Sequence, residues 1–147
     1  MKIISEFTNE IFEKMSALDK ECVGTEGWSA ASFREQSQST GGIVLAAYCG
    51  DELAGLIAGF TASDTGEILT LSVAPQYRRQ GIARKLMEAF LAEVPGDTEN
   101  IALEVRQSNT AAISLYEGFG FEKAGVRKRF YSDPEEDAAV MIKKLRM

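Results

Sequence analysis

Apolar residues recur along the chain with two different periods, and these periods predict helices and strands. From Ile11 to Cys22 the apolar positions lie three and four residues apart, which places them on one face of a helix. By this spacing and by capping residues, helices are predicted over residues 11–22, 29–38, 81–94 and 109–119. Apolar segments bounded by turn residues predict strands over residues 2–7, 43–49, 53–62, 67–73, 101–105, 122–131 and 138–145.

Capping signals support two of these helices. Ser29 is expected to cap the second helix, with Trp28 and Phe33 packing across its start, and Asn109 is a good cap for the last one. The order of elements predicts an α/β fold: a mixed, mostly antiparallel central sheet of about seven strands with about four flanking helices. A length of 147 residues fits a single domain over residues 1–147.

Composition excludes several classes of function. A net charge of -6 argues against general nucleic-acid binding, because phosphate contacts need a basic surface. No segment approaches the roughly 20 apolar residues that span a bilayer, and the start lacks the order of a secretory signal. We therefore expect a cytoplasmic protein that binds neither nucleic acid nor membrane, and its oligomeric state stays open.

The available chemistry is limited by residue type. The chain has no histidine, which removes Ser-His and Cys-His nucleophile systems and the commonest metal ligand. Cys22 and Cys49 form no CxxC pair and are expected to be small buried thiols. Carboxylates, tyrosines and backbone amides are left to do any chemistry, and no metal site is predicted.

The segment from Arg78 to Ala83 predicts an anion site. A strand that leads into RRQGIA and then into a helix brings unpaired backbone N–H groups together at a helix start. Gly81 allows close approach of the backbone, and Arg78, Arg79 and Arg84 add charge that suits a pyrophosphate. The spacing is neither a Walker loop nor the GxGxxG of a dinucleotide fold.

The longer segment LSVAPQYRRQGIARKLM resembles the Q/R-x-x-G-x-G/A segment of the GNAT superfamily of N-acetyltransferases. The resemblance implies the GNAT fold and acetyl-coenzyme A as co-substrate, with its pyrophosphate on the loop amides and its pantetheine arm beside the preceding strand. The cofactor-binding residues that it implies are Leu71, Ser72, Val73, Arg78, Arg79, Gln80, Gly81, Ile82, Ala83, Arg84 and Asn109.

A second segment, LEVRQSNTAAISLYEGFGF, is similar to the bacterial ribosomal-protein-alanine N-acetyltransferases within this superfamily. This resemblance implies that Glu104 is the general base and Tyr116 the general acid. It also implies direct attack by an acceptor amine, the N-terminal α-amine of an alanine in a ribosomal protein. The chemistry needs such a pair, because an ammonium cannot attack a thioester and the departing thiolate must gain a proton.

Alternatives remain on the acceptor side. Glu67 competes with Glu104 as the base, because many GNAT enzymes place a carboxylate on the strand before the phosphate loop. Thr70 stands where many relatives have asparagine, and the segment that ends in Tyr131, which is expected to shape the acceptor mouth, also departs from their pattern. The acceptor could therefore be a small amine, such as a polyamine, an amino acid or an aminoglycoside. A non-catalytic module that binds acetyl-coenzyme A is a further alternative.

Overall fold

The structure is a computed structural model that describes residues 1–146. Its helices are α1 (Asn9–Val23), α2 (Ala30–Gln38), α3 (Ile82–Glu93) and α4 (Thr110–Gly118). Its strands are β1 (Lys2–Ile4), β2 (Gly42–Cys49), β3 (Glu52–Ala62), β4 (Thr65–Val73), β5 (Asn100–Arg106), β6 (Glu122–Tyr131) and β7 (Glu136–Lys144). Short 3-10 turns occupy Gly24–Glu26 and Pro75–Tyr77. No helix within residues 1–146 is both long and apolar enough to cross a membrane.

The seven strands form one sheet in the order β1-β2-β3-β4-β5-β7-β6. Every neighbouring pair is antiparallel except β4 and β5, which are parallel. The predicted fold class is therefore confirmed.

Two clusters of buried side chains pack on the two faces of the sheet. On one face α1 and α2 contribute Phe12, Met15 and Phe33, which pack against β2 and β3. On the other face α3 contributes Leu86 and Phe90, and α4 and β5 join the same cluster. Each helix is amphipathic, so burial of its apolar stripe against the sheet accounts for this layered arrangement.

A β-bulge in β4 changes which side chains face each cluster. β3 pairs Gly59 with Ile68 and the preceding Ala58 with Thr70, so Leu69 is an extra residue without a partner on β3. Because side chains alternate along a strand, one extra residue moves every later side chain to the opposite face. Thr70 and Ser72 therefore face α1, on the same side of the sheet as Glu67.

β4 and β5 separate at their carboxyl ends. Their parallel pairing runs from Thr65 with Asn100 to Ile68 with Leu103 and stops there. The bulge at Leu69 follows directly, and bulges bend the strand that contains them. A gap between the two strands results at residues 69–73 and 103–106.

Some predicted boundaries were wrong. β1 ends at Ile4, not at residue 7, because Thr8 already caps α1 by accepting a hydrogen bond from the backbone N–H of Ile11 at 3.2 Å. β7 begins at Glu136, two residues earlier than predicted. Both cysteines are free, as expected, but they are half-buried instead of buried.

Candidate active site

A cavity of about 760 Å³ occupies the gap between β4 and β5. Its walls include residues 69–73 of β4 and 103–106 of β5, with Trp28 from one face of the sheet and Tyr116 from the other. The cavity therefore passes through the sheet and brings together groups that lie on opposite faces. All the predicted cofactor-binding residues except Gln80 line it, together with Glu104 and Tyr116.

The loop before α3 presents backbone N–H groups to this cavity. Two residues in the left-handed region, Arg79 at φ 65° and Gly81 at φ 82°, turn the chain from the Pro75–Tyr77 turn into α3. No side chain caps the start of α3, and its first turn contains no acidic residue. The first N–H groups of a helix lack partners within the helix, so this end can bind an anion.

Two arginine side chains near the loop, those of Arg78 and Arg84, are held by contacts with neighbouring residues. Arg78 donates from Nε to the carbonyl oxygen of Val73 at 3.1 Å and also lies 3.6 Å from Cys22 Sγ. The guanidinium of Arg84 lies 5.6 Å from the ring centre of Phe119. These contacts order both side chains at the edge of the anion site.

The structure does not bring Gln80 to the cavity. Its side-chain amide donates to the carbonyl oxygen of Gln76 at 3.2 Å, on the exposed side of the loop. Its side chain therefore supports the turn, and cofactor binding by Gln80 stays a prediction that concerns its backbone amide.

Ser72 faces away from the anion site. Its hydroxyl donates to Asp19 Oδ1 at 2.8 Å, and the hydroxyl of Thr70 donates to the same oxygen at 2.7 Å. Asp19 itself is fully buried in α1. Only the backbone of Ser72 is therefore positioned for a ligand beside β4, and no sequence motif pointed to Asp19.

Tyr116, the predicted general acid, reaches the cavity from α4. It is buried and packs its ring against Phe121 with centroids 5.9 Å apart. Burial above all, and then the nearby Tyr131, raise the pKa of the Tyr116 hydroxyl above its ordinary value. The hydroxyl is therefore protonated at neutral pH.

Glu104 reaches the cavity from β5. Its carboxylate is 16% exposed and lies 4.0 Å from Nε of Arg127 on β6. Glu104 and Tyr116 come from opposite faces, and both line the gap where the strands have separated. The structure thus brings the predicted base and the predicted acid into one cavity.

Glu67, the competing base, lies near Glu104 but outside the cavity lining. It pairs in register with Ala102, and Glu104 follows two residues later on the same face. Burial and then the Glu104 charge raise the pKa of Glu67, whereas Arg127 opposes the shift. Glu67 therefore holds its proton more readily than an ordinary glutamate.

Arg106 joins two loops across the open side of the cavity. Its guanidinium lies 3.4 Å from Glu26 Oε2, before α2, and 3.3 Å from Glu136 Oε1 at the start of β7. The backbone N–H of Ser132 also donates to Glu26 Oε1 at 3.0 Å. Because the guanidinium is also 4.5 Å from the ring centre of Tyr131, this network shapes the mouth around that tyrosine.

The electrostatics of the mouth follow from this network. Burial and then the Glu104 carboxylate raise the pKa of Tyr131 to about 12, although Arg106 opposes the shift. Hydrogen bonds from Ser108 lower the pKa of Glu136. Glu136 is thus ionised at neutral pH.

Sequence reasoning missed Glu26 and Arg106. Arg106 follows Glu104 by two residues on a strand, so the two side chains share a face. This alternation could have indicated that Arg106 lies near the site. Within residues 1–146, no group of three or more acidic or cysteine side chains could hold a metal ion.

Several N-acetyltransferases are similar to this chain in sequence and in fold. An enzyme named N-alpha-acetyltransferase RimI, from Mycobacterium tuberculosis, is 33% identical over 123 residues, which cover 81% of this chain and 77% of that protein. The ribosomal protein bS18-alanine N-acetyltransferase of Escherichia coli (strain K12) is 41% identical over 81 residues, or 53% of this chain. The matched part spans about half, 55%, of the length of that relative.

The solved structures show the same fold. The crystal structure of the ribosomal-protein-S18-alanine N-acetyltransferase from Escherichia coli superposes with a TM-score of 0.85 at 28% identity, covering 99% of this chain and 94% of that one. Residues 7–121 match the sequence profile described as the Acetyltransferase (GNAT) family. This match covers most of the chain, and the chain belongs to that family.

Proposed function

We propose that this chain transfers the acetyl group of acetyl-coenzyme A to a primary amine, and that the acceptor is the N-terminal α-amine of a protein. One observation carries the proposal. A single cavity connects the anion site at the start of α3 with Glu104 and Tyr116, through the gap between β4 and β5.

The residues of the gap fit a coenzyme A substrate. Beyond Ile68, β4 has no pairing with β5, so backbone groups on that edge are available to the amides of a pantetheine arm. The start of α3 and the arginines beside it suit the pyrophosphate. Gly81 has open space around its Cα, so nothing obstructs an approaching phosphate there.

Glu104 and Tyr116 supply two of the proton transfers of the reaction. Glu104 removes a proton from the acceptor ammonium, directly or through one water. The amine nitrogen then bonds to the acetyl carbonyl carbon and releases its second proton to water, and the carbon–sulfur bond breaks. Tyr116 gives its proton to the departing thiolate, so atoms and charges balance without a covalent enzyme intermediate. The proton on Glu104 returns through solvent to the tyrosinate.

The acceptor side favours an α-amine. The α-amine has an unperturbed pKa of about 7.7 to 8.0, against about 10.4 for lysine. Transfer of a proton from the α-ammonium to a carboxylate therefore costs less free energy. Three carboxylates near the mouth, those of Glu26, Glu104 and Glu136, outnumber the two guanidinium groups beside them, which favours approach of a cationic ammonium. Relatives named for N-alpha and bS18-alanine acetylation support the same choice.

Thiol release from acetyl-coenzyme A tests the proposal. The chain would be assayed with a peptide that begins with the N-terminal alanine of ribosomal protein bS18, with an N-blocked copy, and with a panel of polyamines and aminoglycosides. Turnover on the free peptide alone is the expected result. Turnover confined to small amines would overturn the α-amine acceptor, and tight cofactor binding without any turnover would overturn catalysis.

A further inference from the structure

The acceptor side of the cavity is formed in part by a short connection between α1 and α2. We call residues 24–28 the mouth segment, because Glu26 and Trp28 line the cavity there. The segment is a single 3-10 turn, Gly24–Glu26, followed by two residues that lead to the Ser29 cap of α2. Such a short irregular segment needs anchors if it is to hold a fixed position.

Asp19 provides one anchor. The backbone N–H of Trp28 donates to Asp19 Oδ2 at 2.8 Å, and the other carboxylate oxygen accepts from Thr70 and Ser72 of β4. Asp19 is 0% exposed. A buried carboxylate is costly unless it is fully hydrogen-bonded, so this arrangement is strongly favoured over alternatives that leave it unpaired.

Gly27 provides a second anchor that is independent of charge. A Cβ atom at Gly27 would lie 2.6 Å from Cα and 2.7 Å from the backbone N of Lys20 in α1. The mouth segment therefore lies directly against the backbone of α1, one residue beyond Asp19. Ser16 also holds this segment, because its hydroxyl donates to the carbonyl oxygen of Trp28 at 2.7 Å.

We propose that Asp19 is a positioning residue that fixes the mouth segment against β4, and so sets the width of the acceptor entrance. Both groups that it joins line the same cavity: Trp28 on the acceptor side, and Thr70 and Ser72 beside the edge of β4. The carboxylate acts through these neighbours and touches neither substrate. The kinetic test of this inference rests on the proposed function, whereas the test by Trp28 fluorescence does not.

Three variants test the role of Asp19. Asp19→Ala removes all three hydrogen bonds. Asp19→Asn can keep them, because its amide oxygen can accept from Trp28 N–H while its NH₂ donates to the hydroxyls of Thr70 and Ser72, which accept as well as donate. Gly27→Ala displaces the mouth segment without changing any side chain that forms these hydrogen bonds. The matched controls are Asp51→Asn in the exposed β2–β3 turn and Gly96→Ala, which has no atoms within 4 Å of the new Cβ.

We expect Asp19→Ala and Gly27→Ala each to raise the KM for the acceptor peptide about tenfold, while the Kd for coenzyme A by calorimetry stays within about twofold. Asp19→Asn restores the KM of the wild type, because the role depends on hydrogen bonds and not on charge. A folded Asp19→Ala protein with an unchanged KM would overturn the proposal. Equal impairment by asparagine and alanine would overturn it as well.

Fluorescence supplies a readout that needs no turnover. Trp28 is the single tryptophan of the chain and lies within the mouth segment. We expect both impaired variants to show red-shifted emission and stronger quenching by acrylamide than the wild type. If Asp19→Ala does not fold, Gly27→Ala decides: wild-type emission and wild-type peptide KM together refute the proposal. Failure of the wild type to acetylate any peptide would overturn the proposed function, and the fluorescence result would still decide whether the mouth segment is anchored as described.

Discussion

Ile68 and Leu103 are the last residues that pair β4 with β5, and the two strands separate immediately beyond them. In a continuous sheet, side chains on opposite faces are kept apart by the backbone between them. The gap removes that barrier, so Glu104 from one face and Tyr116 from the other line one cavity. Separation of the strands is therefore the structural basis of the proposed acid–base pair.

Tyr116→Phe should lower kcat by about 10²- to 10⁴-fold, because the variant lacks the proton that the thiolate needs. The phenylalanine ring can keep its packing against Phe121, so the melting temperature and the affinity for coenzyme A should change little. Steady-state thiol release and calorimetry measure the two quantities. Tyr48→Phe, in β2 and away from the cavity, is the matched control. Undiminished kcat would show that another group donates the proton.

Substitution distinguishes the two candidate bases. Glu104→Gln should lower kcat by about 10²-fold or more, whereas Glu67→Gln should have a much smaller effect, because Glu67 does not line the cavity. The measurement is kcat at saturating substrate for both variants over a range of pH.

If Glu67 were the base instead of Glu104, the pH dependence of activity would show it. The Glu104 charge raises the pKa of Glu67, so Glu104→Gln must lower that pKa. A carboxylate base is active above its pKa. If Glu67 were the base, the acid limb of activity in Glu104→Gln would therefore move to lower pH, and Glu67→Gln would abolish turnover.

The sequence predicted the elements well where local signals determine them. α2 begins after Ser29 as expected, with the Ser29 hydroxyl accepting from Ser32 N–H at 3.1 Å and Trp28 packed on Phe33 at 5.1 Å. Asn109 caps α4 in the same way, accepting from the backbone N–H of Ala112 at 3.1 Å. Caps and helical periodicity involve residues within one turn of each other, so a single sequence contains the information.

The site depended on features that no local pattern contains. The bulge at Leu69 shifts Thr70 and Ser72 to the α1 face, and alternation along an apolar segment cannot indicate where one residue is inserted. The pairing of Arg106 with Glu26 joins residues 80 positions apart, so only the assembled sheet brings them together. The anion site was instead predicted from the strand–loop–helix pattern, and the acid–base pair from motif resemblance. Neither gave information on how the two loops of the mouth are joined.

Arg106→Gln should raise the KM for the acceptor peptide by about tenfold and leave the affinity for coenzyme A unchanged. The variant loses the contacts to Glu26 and Glu136 and the stacking on Tyr131, so the two loops of the mouth are no longer joined. Arg106→Lys should recover only part of the effect, because an ammonium has no planar fork for two carboxylates.

Arg34→Gln is the control for the loss of an arginine stacked on an aromatic ring, since Arg34 lies 5.6 Å from the ring centre of Phe12, away from the cavity. The kinetic comparison would count against a role in the acceptor mouth if both glutamine variants raised the peptide KM equally.

Substitutions at Gly81 test the anion site, because they strain the backbone without creating a steric clash. Its φ of 82° disfavours side chains, yet a Cβ atom at this position would have no neighbouring atom within 4 Å, so a substitution costs backbone strain and not contact. Gly81→Val should weaken coenzyme A binding by about 5- to 30-fold, if the loop leaves the left-handed conformation when free and must regain it on binding. Gly81→Asn should weaken binding less, because asparagine tolerates this conformation better.

Gly50→Val is the matched control for Gly81→Val, since Gly50 also has a positive φ, 62°, and open space, but it lies in the β2–β3 turn. Both valine variants should lower the melting temperature, whereas only Gly81→Val should lower the affinity measured by calorimetry. Equal affinities for coenzyme A in the two variants would mean that the conformation at Gly81 does not contribute to phosphate binding. A loss with Gly81→Asn as large as with Gly81→Val would instead indicate that the bare backbone of glycine, more than its φ angle, is what the pyrophosphate requires.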